Sequence, residues 1–154
     1  MISFKPMEDE DMDFIERVYG STREKELSTT NWTQEQKRSF VIMQSVAQLS
    51  EYRSKYQGAT YEVILVKKKP AGRLFLWETD NEIRIVDIAL LPEFSGKGIG
   101  KKILTGIIEA ARKKHKAITL HVLRDNPAIR LYESLGFRTV HDKDDRVFMQ
   151  CVPV

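Results

Sequence analysis

The sequence predicts a mixed α/β (α+β) fold: a mostly antiparallel sheet of six to seven strands, with one central β-α-β unit and helices on both faces. Three observations lead there. Apolar residues recur at strand or helix period in the order β-α-α-β-β-β-α-β-α-β-β. One strand runs through a glycine-spaced basic loop straight into the strongest helix, and another strand follows, which makes the β-α-β unit. The remaining strands are joined by short polar turns, as antiparallel neighbours are.

The elements follow in order. Ile2 and Phe4 alternate with polar neighbours, so Met1–Lys5 reads as a short strand. Met12, Ile15, Val18 and Tyr19 recur at helical spacing, and Gly20 is the expected stop. Thr33-Gln34-Glu35-Gln36 fits a capping box that opens a longer helix through Phe40, Met43 and Ala47 to about Ser54. Tyr61–Val66 and Arg73–Glu78 are strands around a turn spanning Lys67 to Gly72. Asp80-Asn81 is the next turn, and Ile83–Leu91 is a long strand, apolar on both faces towards its end like a central one.

The helix after the glycine loop has one apolar stripe: Ile99, Ile103, Leu104, Ile107, Ile108 and Ala111. Lys113, Lys114 and Lys116 stand near its C-terminus, where the helix dipole favours cations. Ala117–Leu123 is a strand. Asn126 as N-cap and Pro127 at the first helical position open a last helix, which Gly136 stops. Phe137–Val140 and Arg146–Cys151 are strands around the polar turn Asp142-Lys143-Asp144-Asp145.

The bulk numbers bound the function. A chain of 154 residues is most simply one domain, 1–154, able to bury about two-thirds of its unfolded surface. A net charge of +3 suits an anionic small ligand and falls short of a nucleic-acid signature. Cys151 is the single cysteine, so no internal disulfide forms. With no basic-then-apolar leader and no membrane-length apolar run, a reducing cytoplasm is the expected compartment, and no membrane partner is expected. His115 and His141 show no metal-ligand spacing, and no metal is expected.

The stretch Leu90-Leu91-Pro92-Glu93-Phe94-Ser95-Gly96-Lys97-Gly98-Ile99-Gly100-Lys101-Lys102 aims backbone N–H groups and a helix N-terminus at one point, a site for a phosphate-bearing ligand. It is not the nucleoside-triphosphate loop, because Gly96 and Gly100 are separated by three residues where that loop needs four, and Lys101 is followed by Lys102. Nor is it the dinucleotide fingerprint: counting from Gly96, Lys101 fills the last glycine position, and counting from Gly98, Ile103 does. Read alone, such a loop is also compatible with a plain flexible turn.

Together with the later run Asn126-Pro127-Ala128-Ile129-Arg130-Leu131-Tyr132-Glu133-Ser134-Leu135-Gly136-Phe137, this loop resembles the acyl-CoA site of the GNAT superfamily of N-acetyltransferases. The two motifs stand in the family's order, one helix and one strand apart. Ser95 occupies the position where the family usually carries Arg or Gln, which removes one side-chain contact and leaves the backbone donors in place.

The resemblance implies acetyl-CoA as cofactor. It implies that Gly96, Lys97, Gly98, Ile99, Gly100 and Lys101 wrap the pyrophosphate, that the backbone of Ile88, Ala89 and Leu90 pairs with the pantetheine arm, and that Asn126 contacts the cofactor near its thiol end. It implies direct transfer to a primary amine in a ternary complex, with Tyr132 as general acid. A phenol ionises near pH ~10 and holds its proton at neutrality. Tyr132 also shares a helical face with Ala128, Leu131 and Leu135, which by itself reads as core. For the base, His121 (its ordinary pKa near neutrality), Asp87 and a water chain all stand. Asp87 follows Ile83 and Ile85 on one strand face and therefore calls for a partner, an ion pair being its plainer reading.

The family's acceptor groove points to Trp32, Gln44, Gln48, Tyr52, Trp77 and Glu78 as lining, with a small-molecule or peptide amine as the partner and a monomer or homodimer as the assembly. Two other functions compete. A non-catalytic acyl-CoA-binding module keeps the cofactor site without chemistry. A nucleic-acid-binding surface would use Lys97, Lys101, Lys102, Lys113 and Lys114, but that stretch lacks interleaved aromatics.

Overall fold

The computed structural model describes all 154 residues. Its strands are β1 (Ile2–Pro6), β2 (Thr60–Val66), β3 (Lys69–Glu78), β4 (Glu82–Leu90), β5 (Ala117–Leu123), β6 (Arg138–Lys143) and β7 (Arg146–Cys151). Its helices are α1 (Met12–Leu27), α2 (Gln34–Lys55), α3 (Ile99–Lys114) and α4 (Ala128–Ser134). The strands form one sheet in the order β1-β2-β3-β4-β5-β7-β6. The pairs β1–β2, β5–β7 and β6–β7 are antiparallel and β4–β5 is parallel. A parallel pair needs a crossover, and α3 is that crossover, as the sequence implied. Two compact units divide the chain: residues 1–75 with 87–95, and residues 76–86 with 96–154.

In the first unit, β1 pairs with β2 from Ile2↔Val66 to Pro6↔Glu62. Ile15, Val18, Leu49, Val63, Ile64, Leu74 and Phe75 are buried in its core. Gly20 does not end the first helix; α1 continues to Leu27. A Cβ on Gly20 would stand 3.2 Å from Val41 Cγ1 of α2, so the glycine serves the close packing of α1 on α2. The turn after β2 is also tighter than its composition suggested. Lys67 and Lys68 both take positive φ, 51° and 68°, and β3 begins at Lys69 rather than Arg73. Two left-handed residues match the twist of paired strands, and Pro70, Ala71 and Gly72 become strand residues.

In the second unit, β4 pairs with β5 from Glu82↔Ala117 to Ile85↔Leu120. All six residues of the expected α3 stripe are buried. Tyr132, Phe137, Val147, Met149 and Cys151 add to this core. β6 runs on to Lys143, and the hairpin closes at Asp144, whose φ is 58°. The register slips between Thr139 and His141, a bulge of the kind that interrupts an outer strand. Gly136, at φ 104°, follows the end of α4 as expected.

Candidate functional site

The glycine loop and the start of α3 carry the most distinctive local chemistry. Leu91 is buried, and Pro92–Phe94 form a single helical turn that closes with Ser95 N–H donating to Pro92 C=O at 3.1 Å. Gly96 and Gly98 then take φ of +73° and +80°, and a Cβ on either would find nothing within 4 Å. The backbone turns where only glycine turns easily, and open space faces it.

Gly98 is the N-cap of α3, so no side-chain oxygen receives the first helical amides. No acidic residue stands in the first turn either. The N–H groups of Ile99, Gly100 and Lys101 have no partner within the helix, as in any first turn. Lys97 and Lys101 put positive charge at the positive end of the dipole. All these features suit an anion.

Asn126 closes the last turn before α4. Its Oδ1 accepts from Ala128 N–H at 2.8 Å and its C=O from Ile129 N–H at 3.2 Å. With that oxygen so engaged, its side-chain NH₂ is the group it can offer outward. Tyr132, six residues further on, is 7% exposed and packs its ring 5.6 Å from that of Phe137.

The three base candidates separate. Asp87 is held from both sides: Arg73 Nε donates to Oδ1 at 3.2 Å and Nη2 to Oδ2 at 2.7 Å, and the Tyr52 hydroxyl donates to Oδ2 at 3.0 Å. Arg73 is 1% exposed, and its Nη2 also donates to Gln48 Oε1 at 2.7 Å. This is the ion pair that an aspartate on an apolar strand face called for, and its oxygens are occupied. His121 is exposed on β5, with its ring 4.9 Å from that of Phe148. Its Nδ1 lies 3.4 Å from Arg84 Nη1. Arginine only donates, so Nδ1 is the accepting nitrogen where this contact forms. Arg84 in turn donates to Thr119 Oγ1 at 2.6 Å.

The residues expected to line an acceptor groove are mostly engaged elsewhere. Gln48 and Tyr52 belong to the Asp87 cluster. Trp32 meets Phe40 edge-on at 5.3 Å. Glu78 accepts from Lys116 at 2.7 Å and Lys114 at 3.0 Å, and these bonds hold its carboxyl below the ordinary glutamate range. Sequence reasoning missed a cavity of about 840 Å³ in the first unit. Asp13, Glu16 and Glu24 of α1 line it, opposite Lys37 and Arg38 of α2, with Leu91, Pro92 and Glu93 closing one side. Arg17 pairs with Glu93 at 3.0 Å. The spacing 13, 16, 20, 24 on α1 marks one helical face and was the available signal.

No three His, Cys, Asp or Glu side chains gather to hold a metal ion. No helix is long and apolar enough to cross a membrane. Cys151 is buried, and burial pushes its thiol pKa up, away from the reactive thiolate.

A family model matches the chain, and solved structures share its architecture. The model of the acetyltransferase (GNAT) family matches residues 25–137. A PaiA N-acetyltransferase from Thermoplasma acidophilum, solved in complex with coenzyme A, is 18% identical, with a TM-score of 0.72 and 99% of each chain covered. An acetyltransferase from Thermus thermophilus is 16% identical over 99% of this chain and 97% of its own, with a TM-score of 0.71. A spermidine N-acetyltransferase from Vibrio cholerae, in complex with coenzyme A and spermine, is 19% identical over 99% of this chain and 95% of its own, with a TM-score of 0.66. At these identities the likeness is one of fold. No curated protein sequence matches significantly.

Proposed function

The chain belongs to the GNAT acetyltransferase family, and we propose that residues 1–154 act as one N-acetyltransferase domain that moves an acetyl group from acetyl-CoA to a primary amine in a ternary complex. The family uses acetyl-CoA, and the residues present fit it. The observation that carries the reading is the start of α3: a glycine N-cap, first-turn amides with no partner within the helix, no acidic residue, lysines on both sides and open space at Gly96 and Gly98. A diphosphate satisfies all of these at once.

When bound, acetyl-CoA supplies an activated thioester. Gly96, Lys97, Gly98, Ile99, Gly100 and Lys101 would hold its diphosphate, and the backbone of Ile88, Ala89 and Leu90 its pantetheine arm. Asn126 would offer its NH₂ near the thiol end. The Tyr132 hydroxyl would donate a proton to the departing sulfur. The amine must lose a proton before it can attack. His121, whose Nδ1 has Arg84 3.4 Å away, or a water chain would take that proton. Asp13, Glu16 and Glu24 would offer carboxylates to a cationic amine in the cavity of the first unit, whose lining also holds Arg17, Lys37 and Arg38. This agrees with the polyamine named for the Vibrio cholerae neighbour.

Isothermal titration with acetyl-CoA tests the reading, followed by thiol release against polyamines, amino acids and peptide N-termini. Absence of heat at millimolar cofactor sinks it. Tyr132→Phe is expected to lower kcat about 10²-fold with acetyl-CoA affinity unchanged, since a positioned acid typically contributes that much or more. Normal turnover in that variant would remove the acid role alone. A second reading draws on one observation: the Asp87 carboxylate is taken up by Arg73 and Tyr52. A non-catalytic acyl-CoA-binding module would then bind the cofactor and release no thiol with any amine.

A further inference from the structure

Gly72 lies inside β3 with an ordinary strand backbone, so conformational freedom does not explain it. Space does. A Cβ on Gly72 would stand 2.1 Å from Ala89 C=O and 3.0 Å from Leu90 Cα. Carbon and oxygen in favourable contact lie about 3.3–3.6 Å apart, so the two backbones would have to part by on the order of 1 Å. Both atoms belong to the main chain of β4, and no rotamer change relieves them. A strand glycine of this kind marks a close approach of backbones.

The direction of the neighbouring groups follows. Leu91 N–H donates to Ala71 C=O at 2.8 Å, so residue 91 faces β3. Along a strand, alternate residues turn their N–H and C=O to the same side. Ala89 therefore faces β3 as well, which agrees with its oxygen lying beside Gly72. Ile88 and Leu90 face the other edge of β4. The ladder on that edge ends at Ile85, so no strand pairs with it at Ile88 or Leu90.

We propose that Gly72 is a positioning residue for the cofactor: its missing side chain seats β4 close against β3, and this sets where Ile88 and Leu90 offer their backbone groups to the amides of the pantetheine arm. The inference rests on the acetyltransferase reading and assigns that contact to Ile88 and Leu90 in particular, with Ala89 turned inward.

Gly72→Ala tests it by titration with two probes, acetyl-CoA and the adenosine bisphosphate half of coenzyme A, which lacks the arm. The expected result is acetyl-CoA binding at least tenfold weaker, with the adenosine bisphosphate bound as by the wild type. A displacement of about 1 Å can cost on the order of a hundredfold in rate, so kcat/KM falls by a similar factor. Gly106→Ala, where a Cβ meets nothing within 4 Å, should change neither affinity. Equal acetyl-CoA affinity in Gly72→Ala and wild type, or equal loss of both probes, overturns the role. Should Gly72→Ala not fold, amide-resolved hydrogen exchange of the wild type decides: coenzyme A must slow Ile88 and Leu90 and leave Ala89 unchanged. Any other pattern overturns the assignment. A wild type that takes up the adenosine bisphosphate but no acetyl-CoA, or neither, overturns the acetyltransferase reading itself.

Discussion

The helices α2 and α3 begin in opposite ways. Thr33 caps α2: its hydroxyl accepts from Gln36 N–H at 3.1 Å, and the Gln36 side chain accepts from Thr33 N–H at 2.9 Å. Glu35 adds negative charge to that first turn. A reciprocal capping box and a first-turn acid both stabilise that start. α3 has none of them. Its N-cap is a left-handed glycine, its first turn holds no acid, and lysines flank it. Propensity rules call the second start a defect. An anionic ligand would turn the same features into a binding site, and the stability α3 forgoes in the free protein would return as affinity.

That contrast makes stability and binding move in opposite directions at α3. Replacing Lys97 and Lys101 together by Glu should weaken acetyl-CoA binding by at least a hundredfold, about 2.7 kcal/mol. The same change should stabilise the free protein, by roughly 0.3–1 kcal/mol for each charge placed correctly against the dipole. Titration calorimetry and urea unfolding read the two effects. A double variant that lost both stability and binding would show that the lysines support the fold, and the comparison would fail.

Local features were legible in the sequence. The capping box of α2, the apolar stripe of α3 and the glycine loop each depend on residues within a turn or two of one another. Tertiary contacts overrode the rest. Gly20 read as a helix stop because nothing in the sequence reveals Val41 at 3.2 Å from its missing Cβ. Gly72, next to Pro70 and Ala71, read as a turn residue because the close backbone of Ala89 comes from a strand far along the chain. Lys67 and Lys68 carry no compositional sign of a left-handed turn. Asp87 showed that it needed a partner but not which one; Arg73, Tyr52 and Gln48 come from two other elements. The cavity on α1 was visible only as a spacing of charges.

A smaller effect is expected at α2. Thr33→Ala removes one side-chain acceptor and should cost about 1 kcal/mol, as N-cap truncations do. Acetyl-CoA affinity should not change. Thermal unfolding and titration on the same sample check this. An affinity loss in Thr33→Ala would mean that the two helix starts are not independent, and that the contrast between them is not one of local chemistry.

The far end of α3 gives the mildest prediction and sharpens the comparison within a single helix. Lys114 and Lys116 stand at and just beyond the negative end of the dipole, where cations belong, and both donate to Glu78. Bonds from Lys116 and Lys114 lower the Glu78 pKa. A lowered folded-state pKa contributes stability that is present above the ordinary glutamate range and lost as pH falls through the lowered value. Glu78→Gln should therefore be less stable than wild type at neutral pH, by under about 1 kcal/mol because the cluster is exposed to solvent. Urea unfolding at a series of pH values should show this gap closing in acid, while acetyl-CoA affinity stays equal at neutral pH. A gap that persisted below the lowered pKa would show that Glu78 stabilises this end through contacts that do not need its charge, and the two ends of α3 would then differ in contacts rather than in charge.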